Sequence, residues 1–227
     1  MFNIHTTSIE ITNSAGEKIG NQFFRLPNEA SALGLVFPGQ NYTCEMPLLY
    51  YATNLLLERG CNVLQVRVDY TRAEFQALSR WEQAQKLGTD ASTALQALLH
   101  AARQPSADNQ GDLPIYVLGK SIGTIATALL LAGFSNLPFK PIWLTPLLRQ
   151  PLLMEAALDW KSPALWIASQ EDHTFDESSW TRLAKISEHQ CLLLEHGNHR
   201  LEVPGNLELT LSNLQATLQA IELFLKS

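Results

Sequence analysis

Residues Gly119-Lys120-Ser121-Ile122-Gly123 place a serine between two glycines in the spacing G-x-S-x-G. Upstream, Pro114–Leu118 is a short apolar run of strand character. Downstream, Ile122, Ile125, Ala126, Leu129 and Leu130 recur at helical spacing, with Gly133 as a stop. A serine on such a strand-to-helix turn has its hydroxyl pushed clear of the backbone. Glycines flank it because a side chain at either position would strike the adjoining strand or helix. The hydroxyl is then a candidate nucleophile; the plainer alternative is a serine that caps the helix. A serine hydroxyl reacts poorly at neutral pH without a base beside it, so the question becomes whether the chain supplies one.

Two later strand ends carry suitable groups. Ser169-Gln170-Glu171-Asp172 follows the apolar run Ala164–Ala168, and His196-Gly197-Asn198-His199 follows Gln190–Leu194. An imidazole can take the serine proton and return it to a leaving group. A carboxylate behind it fixes the tautomer and stabilises the imidazolium. Asp172 is the expected acid, with Glu171 and Asp176 as alternatives; His199, His196 and His173 are the candidate bases. Acyl transfer also develops an oxyanion that needs backbone N–H donors, and the amide of Ile122 stands next to the serine.

The elements that must position these groups alternate along the chain. Candidate strands at His5–Ile11 and Ile19–Arg25 flank the turn residues Asn13–Gly16 and predict an antiparallel hairpin. Leu33–Phe37 is a strand ending in Pro38-Gly39. Pro47 opens a helix with Leu48, Leu49, Ala52, Leu55 and Leu56 on its buried face and Gly60 beyond it. Val63–Val68 is the next strand, and Leu87, Ala91, Leu95, Leu98 and Ala102 mark a long helix. A polar loop at Gln104–Gly111 leads to the strand before Ser121. Strands at Pro141–Leu144, Ala164–Ala168 and Gln190–Leu194 follow, with a helix at Glu177–Ser187. The last helix carries a stripe of Leu207, Leu211, Leu214, Leu218, Ile221 and Leu225. Continuous apolar strands alternating with helices predict an α/β fold with a mostly parallel sheet covered on both faces. In such sheets functional groups gather at the carboxyl ends of the strands.

The order Ser…Asp…His, the Gly119–Gly123 turn, the Pro38-Gly39 loop and the Gly-Asn-His turn before a final amphipathic helix resemble the α/β-hydrolase superfamily over nearly the whole chain. Among its members the chain is most similar to small, single-domain, esterase-like proteins. Only Thr145–Ser162 separates the two relevant strands, which leaves room for one short helix and none for a lid domain. The resemblance implies a catalytic set of Ser121, Asp172 and His199 and an acyl-serine intermediate. It also implies a second oxyanion donor at Gln40, after Gly39. The family's usual His-Gly is Pro38-Gly39 here, which leaves that donor open between Gln40 and Asn41. The same machinery serves thioesterases, peptidases and C–C hydrolases, and the fold also serves non-catalytic binding proteins.

The remaining residues bound the reading. The chain has 227 residues, 46% of them hydrophobic and 17% charged, consistent with one domain and a full core. The net charge of −6 and the lack of a basic cluster disfavour a nucleic-acid or anionic membrane surface. The first seven residues carry no signal-peptide pattern. Cys44, Cys61 and Cys191 are sparse and lack C-x-x-C, so reduced thiols and a cytoplasmic setting are expected, with Cys61 and Cys191 as buried fillers. Neither metal-ligand spacing nor a nucleotide-binding glycine motif is present, so no cofactor is expected and the partner is a small acyl substrate. Tyr42 and Cys44 are candidate pocket residues. Asp69, Tyr70 and Arg72 are expected near its mouth and Arg67-x-Asp69 as a local ion pair; Lys120 either biases the site towards anionic substrates or, on the plainer reading, is a solvated or packing side chain. Periodicity leaves the oligomeric state open.

Overall fold

A computed structural model describes residues 4–102 and 113–227 of the chain; the loop expected at 104–111 lies outside the described residues. The strands are β1 (His5–Thr7), β2 (Asn21–Arg25), β3 (Ala32–Phe37), β4 (Cys61–Val66), β5 (Ile115–Lys120), β6 (Phe139–Leu144), β7 (Ala164–Ser169) and β8 (His189–Leu194). The helices are α1 (Pro47–Glu58), α2 (Ala73–Gln76), α3 (Arg80–Ala102), α4 (Gly123–Gly133), α5 (Pro151–Asp159), α6 (Glu177–Leu183) and α7 (Leu207–Phe224). The expected hairpin is present, shorter than its hydrophobic pattern, because Asn21 turns its amide to the backbone of Ile9 and Ile19 and interrupts the pairing. The short α2 was not anticipated.

The strands form one sheet in the order β1-β2-β4-β3-β5-β6-β7-β8. β1 and β2 run antiparallel to their neighbours and the rest are parallel. β3, β4, β5 and β7 are buried along their whole length, as strands sandwiched between helix layers must be. One face packs on α3, α4, α5 and α6 around Leu35, Val117 and the stacked Trp143–Trp166 pair, whose centroids lie 4.4 Å apart. The other packs on α1 and α7 around Val36, Leu118, Ile142 and Ile167.

Register sets up the site. Phe37 pairs with Gly119, Lys120 with Leu144, and Ser169 with Leu194. The carboxyl ends of β3, β5, β6, β7 and β8 therefore finish near one level, and the loops that follow them share one end of the sheet.

Two expectations about packing need correction. On α7 the buried residues are Asn213, Thr217, Ile221 and Phe224, while Leu207 is 72% and Leu211 55% exposed. Asn213 is drawn inward because it donates to the carbonyls of His196 and Leu201, which turns Leu207 and Leu211 toward solvent while Ile221 and Leu225, at the other end of the stripe, stay buried. Cys61 is buried in β4, but Cys191 is exposed, since β8 is the outer strand of the sheet and only partly covered.

Candidate active site

Ser121 sits at φ +54°, in the left-handed region, directly after the end of β5. Its amide continues the sheet by donating to Leu144 O at 3.0 Å. The flanking glycines owe their presence to close approach. A Cβ on Gly119 would lie 2.4 Å from Thr127 Oγ1 and 2.6 Å from Gly123 O; one on Gly123 would lie 2.6 Å from Phe37 O. Strand, turn and helix are thus compressed together, and the serine is the residue forced outward. Its hydroxyl does not cap α4. It lies 2.7 Å from His199 Nε2.

The other imidazole nitrogen of His199 lies 2.8 Å from Asp172 Oδ2 and 3.0 Å from Oδ1. An ionised carboxylate can only accept, so Nδ1 carries the proton and Nε2 is left to accept from the serine. Asp172 is itself held by Thr174, whose amide and hydroxyl donate to Oδ1 at 2.8 and 3.0 Å. Burial alone would raise the Asp172 pKa; the bonds from His199 and Thr174 outweigh it and hold the carboxyl below its ordinary range. Burial also lowers the His199 pKa. The Asp172 bond opposes that change and the charges of Lys120 and His173 add to it, leaving the imidazole less basic than usual.

The competing residues are accounted for separately. Glu171 pairs with His196 at 2.9 Å on the exposed side of the same loops. Asp176 caps α6 through the Ser179 amide at 2.8 Å. His173 is exposed and sets its ring edgewise on His199, with centroids 5.1 Å apart. Asp172, His173 and His199 offer ligand atoms within 4.8 Å of one another, the group among the described residues that could hold a metal, although Asp172 and His199 already satisfy each other.

The turn bearing His199 is organised by its own asparagine. Asn198 Oδ1 accepts the amides of Arg200 at 2.7 Å and Glu202 at 3.2 Å, and Asn213 ties the turn to α7. The loop after β3 is a tight turn in which Gly39 and Tyr42 exchange backbone hydrogen bonds, with Asn41 at φ +56°. A Cβ on Gly39 would lie 3.2 Å from Ser121 Cβ, so this loop runs against the serine. The amides of Gln40, Asn41 and Ile122 have no acceptor among the described residues, so both Gln40 and Asn41 are available as the second donor.

A pocket of about 580 Å³ is lined by Gly39 together with Tyr42, Cys44, Val66, Asp69, Tyr70 and Arg200 among others. Both candidate pocket residues therefore reach it. Tyr42 is largely buried, its hydroxyl accepting the Leu48 amide at the start of α1. Burial pushes the Cys44 thiol up to about 12, which leaves it inert as a nucleophile. Arg67 pairs with Glu45 at 2.7 Å and not with Asp69, whose carboxylate instead accepts from the amide and hydroxyl of Thr71. Arg72 lines a separate hollow with Lys86 and Asp90. Lys120 is neither solvated nor aimed at the pocket; it is 1% exposed and points behind the serine. Sequence reasoning missed Thr174 and Arg200 as members of the site, and weighed Lys120 only as a bias towards anionic substrates or as a solvated or packing side chain, of which the buried, packed arrangement is the one found. Proximity to Asp172 and His199 was their only signal.

The chain has the α/β-hydrolase fold. It is similar in structure to the esterase Pf2001 of Pyrococcus furiosus, with a TM-score of 0.69 and 13% identity over 98% of this chain and 92% of that one. An alpha-beta serine hydrolase homologue from Coxiella burnetii aligns with a TM-score of 0.66 and 14% identity, covering 98% and 97%. Est1E from Butyrivibrio proteoclasticus gives 0.66 and 14%, covering 96% of each chain. No family model and no curated protein matches the sequence. Among the described residues no helix is long and apolar enough to cross a membrane.

Proposed function

We propose that the protein is a serine hydrolase that cleaves an ester or related acyl bond through an acyl-serine intermediate. The observation that carries this reading is the continuous relay from Ser121 Oγ to His199 Nε2 at 2.7 Å and from His199 Nδ1 to Asp172 at 2.8 Å. Ser121 Oγ attacks the carbonyl carbon as His199 Nε2 takes its proton. The new C–O bond forms while the carbonyl π pair moves onto oxygen, and the amides of Gln40 and Ile122 are the proposed donors to that oxyanion. Collapse expels the leaving group, which receives the proton from His199. Water, deprotonated by the same imidazole, then attacks the acyl-serine, and the acid leaves with Ser121 restored.

The pocket beside Gly39 is large enough for a small acyl or alcohol group. Between β6 and β7 the described residues form one helix, the nine-residue α5, which is too short for a lid domain. Intact-mass labelling with a fluorophosphonate tests the reading. The native chain is expected to take one adduct, and Ser121→Ala and His199→Ala none. A well-folded native chain that takes no adduct would overturn it.

A further inference from the structure

Lys120 is the last residue of β5 and is buried to 1% exposure, among the largest fully enclosed side chains of the protein. Its ammonium donates to His199 O at 2.8 Å and to Thr145 Oγ1 at 2.9 Å. The same nitrogen stands 4.6 Å from the centre of the Tyr42 ring. The three N–H directions of the ammonium are thereby used, two on oxygen and one on a π face. No carboxylate pairs with it among the described residues. A buried cation without a contacting anion is expensive, and a hydrocarbon of the same length would pack there at lower cost.

The four residues involved come from four strand ends. Tyr42 follows β3, Lys120 ends β5, Thr145 follows β6, and His199 lies in the loop after β8. Three of the neighbouring backbones are in the left-handed region: Ser121 at φ +54°, Thr145 at +43° and Leu201 at +63°. A β-branched threonine in that region is strained and persists only where its surroundings hold it. Its hydroxyl meets the ammonium and its amide donates to Ile167 O at 2.8 Å.

We propose that Lys120 is the positioning residue of this site: its ammonium ties the His199 backbone to the ends of β5 and β6 and so keeps the imidazole on the Ser121 hydroxyl. The inference rests on the serine-hydrolase reading above. The tie is short, since Lys120 and Ser121 are adjacent, and one side chain thereby couples the nucleophile's strand directly to the base's loop. The charge has a second effect. His199 faces Asp172, His173 and Lys120, and Lys120 in turn faces Asp172, Arg200, Glu202 and the Tyr42 phenol. Burial, the largest influence, brings the Lys120 ammonium down to about 7, so it is still protonated over the more acidic range where His199 titrates. There its charge disfavours the imidazolium and keeps the base free.

The test is the second-order rate of fluorophosphonate labelling as a function of pH, for the native protein, Lys120→Met and Thr145→Val. Lys120→Met is expected to lower the plateau rate by about 10²-fold, as misplacing a reacting group does, and to move the acid limb to higher pH. Thr145→Val keeps the charge; it is expected to cost about three- to tenfold with the acid limb unmoved. Folding is followed by thermal denaturation of the same samples. A Lys120→Met protein that labels within about threefold of native, with an unmoved acid limb, overturns the inference, whatever its melting temperature. If Lys120→Met does not fold, Thr145→Val decides: a native rate overturns the inference, and a loss at near-native melting temperature supports it. A native protein that never labels overturns the serine-hydrolase reading itself, a result distinct from indifference to Lys120.

Discussion

Glu171 Oε1 lies 2.9 Å from His196 Nδ1, forming a second carboxylate–imidazole pair one residue upstream of Asp172 and three upstream of His199. The two pairs span the same two loops but differ in burial. Asp172 is 5% exposed, whereas the Glu171 side chain is 56% exposed. The outer pair also accepts the Gly197 amide, so it braces the turn without touching Ser121. Glu171→Gln and His196→Asn are therefore expected to label with a fluorophosphonate within about threefold of native, since exposed ion pairs contribute little. A loss comparable to that of His199→Ala in either variant would reassign the acid or the base.

Asp172→Asn is expected to be severe. The amide that replaces the carboxylate can donate to Nδ1, favouring the tautomer that leaves Nε2 protonated and unable to accept from Ser121. In a serine protease triad this change costs on the order of 10⁴ in turnover. Steady-state hydrolysis of an activated ester by Asp172→Asn, Glu171→Gln and Asp176→Asn ranks the three acids. Asp172 must head that ranking.

The pH dependence follows from the His199 environment. Burial disfavours its charged form, and although Asp172 opposes this, the imidazole ends below its ordinary value of 6.5. Turnover requires the neutral imidazole, so a lowered pKa keeps the base competent to lower pH. The rate is expected to stay level from neutral pH downward and then fall with a midpoint below 6.5, read from kcat/KM in the free enzyme. A midpoint above 7 would contradict the sign of this shift.

Gly123→Ala tests the compression of the elbow. The added Cβ would meet Phe37 O at 2.6 Å and Pro38 O at 2.7 Å, both backbone atoms at the end of β3 that cannot swing aside. Overpacking of this kind costs about 1–3 kcal/mol, which lowers Tm by roughly 2–4 °C per kcal/mol in a chain of this size. Because β3 leads into the Gly39 loop, labelling of Ser121 is expected to fall as well. An unchanged melting curve would mean that the strand end yields more easily than its contacts indicate.

The order of the strands, the mostly parallel sheet and the N-terminal hairpin were legible in the chain itself, as were Ser121, Asp172 and His199 as candidates, whereas the short α2 was not. Apolar periodicity and glycine spacing are local properties, and local properties decide where elements begin and which residues follow them. The rotation of α7 was not legible, because Leu207 and Leu211 fit the helical period as well as Asn213 and Thr217 do. Only the His196 and Leu201 carbonyls, brought over from another loop, draw Asn213 inward. The pairing of Asp172 with His199 and of Glu171 with His196 was likewise open in the sequence, since adjacent carboxylates are chemically equivalent until burial separates them. Lys120 belongs to the same class: beside the serine it reads as a variable position, and it acquires a role only through an acceptor 79 residues away. Chemistry carried by residue type and spacing can be read along the chain. Burial and long-range hydrogen bonds depend on which distant atoms the fold brings within about 3 Å, and these the tertiary structure alone decides.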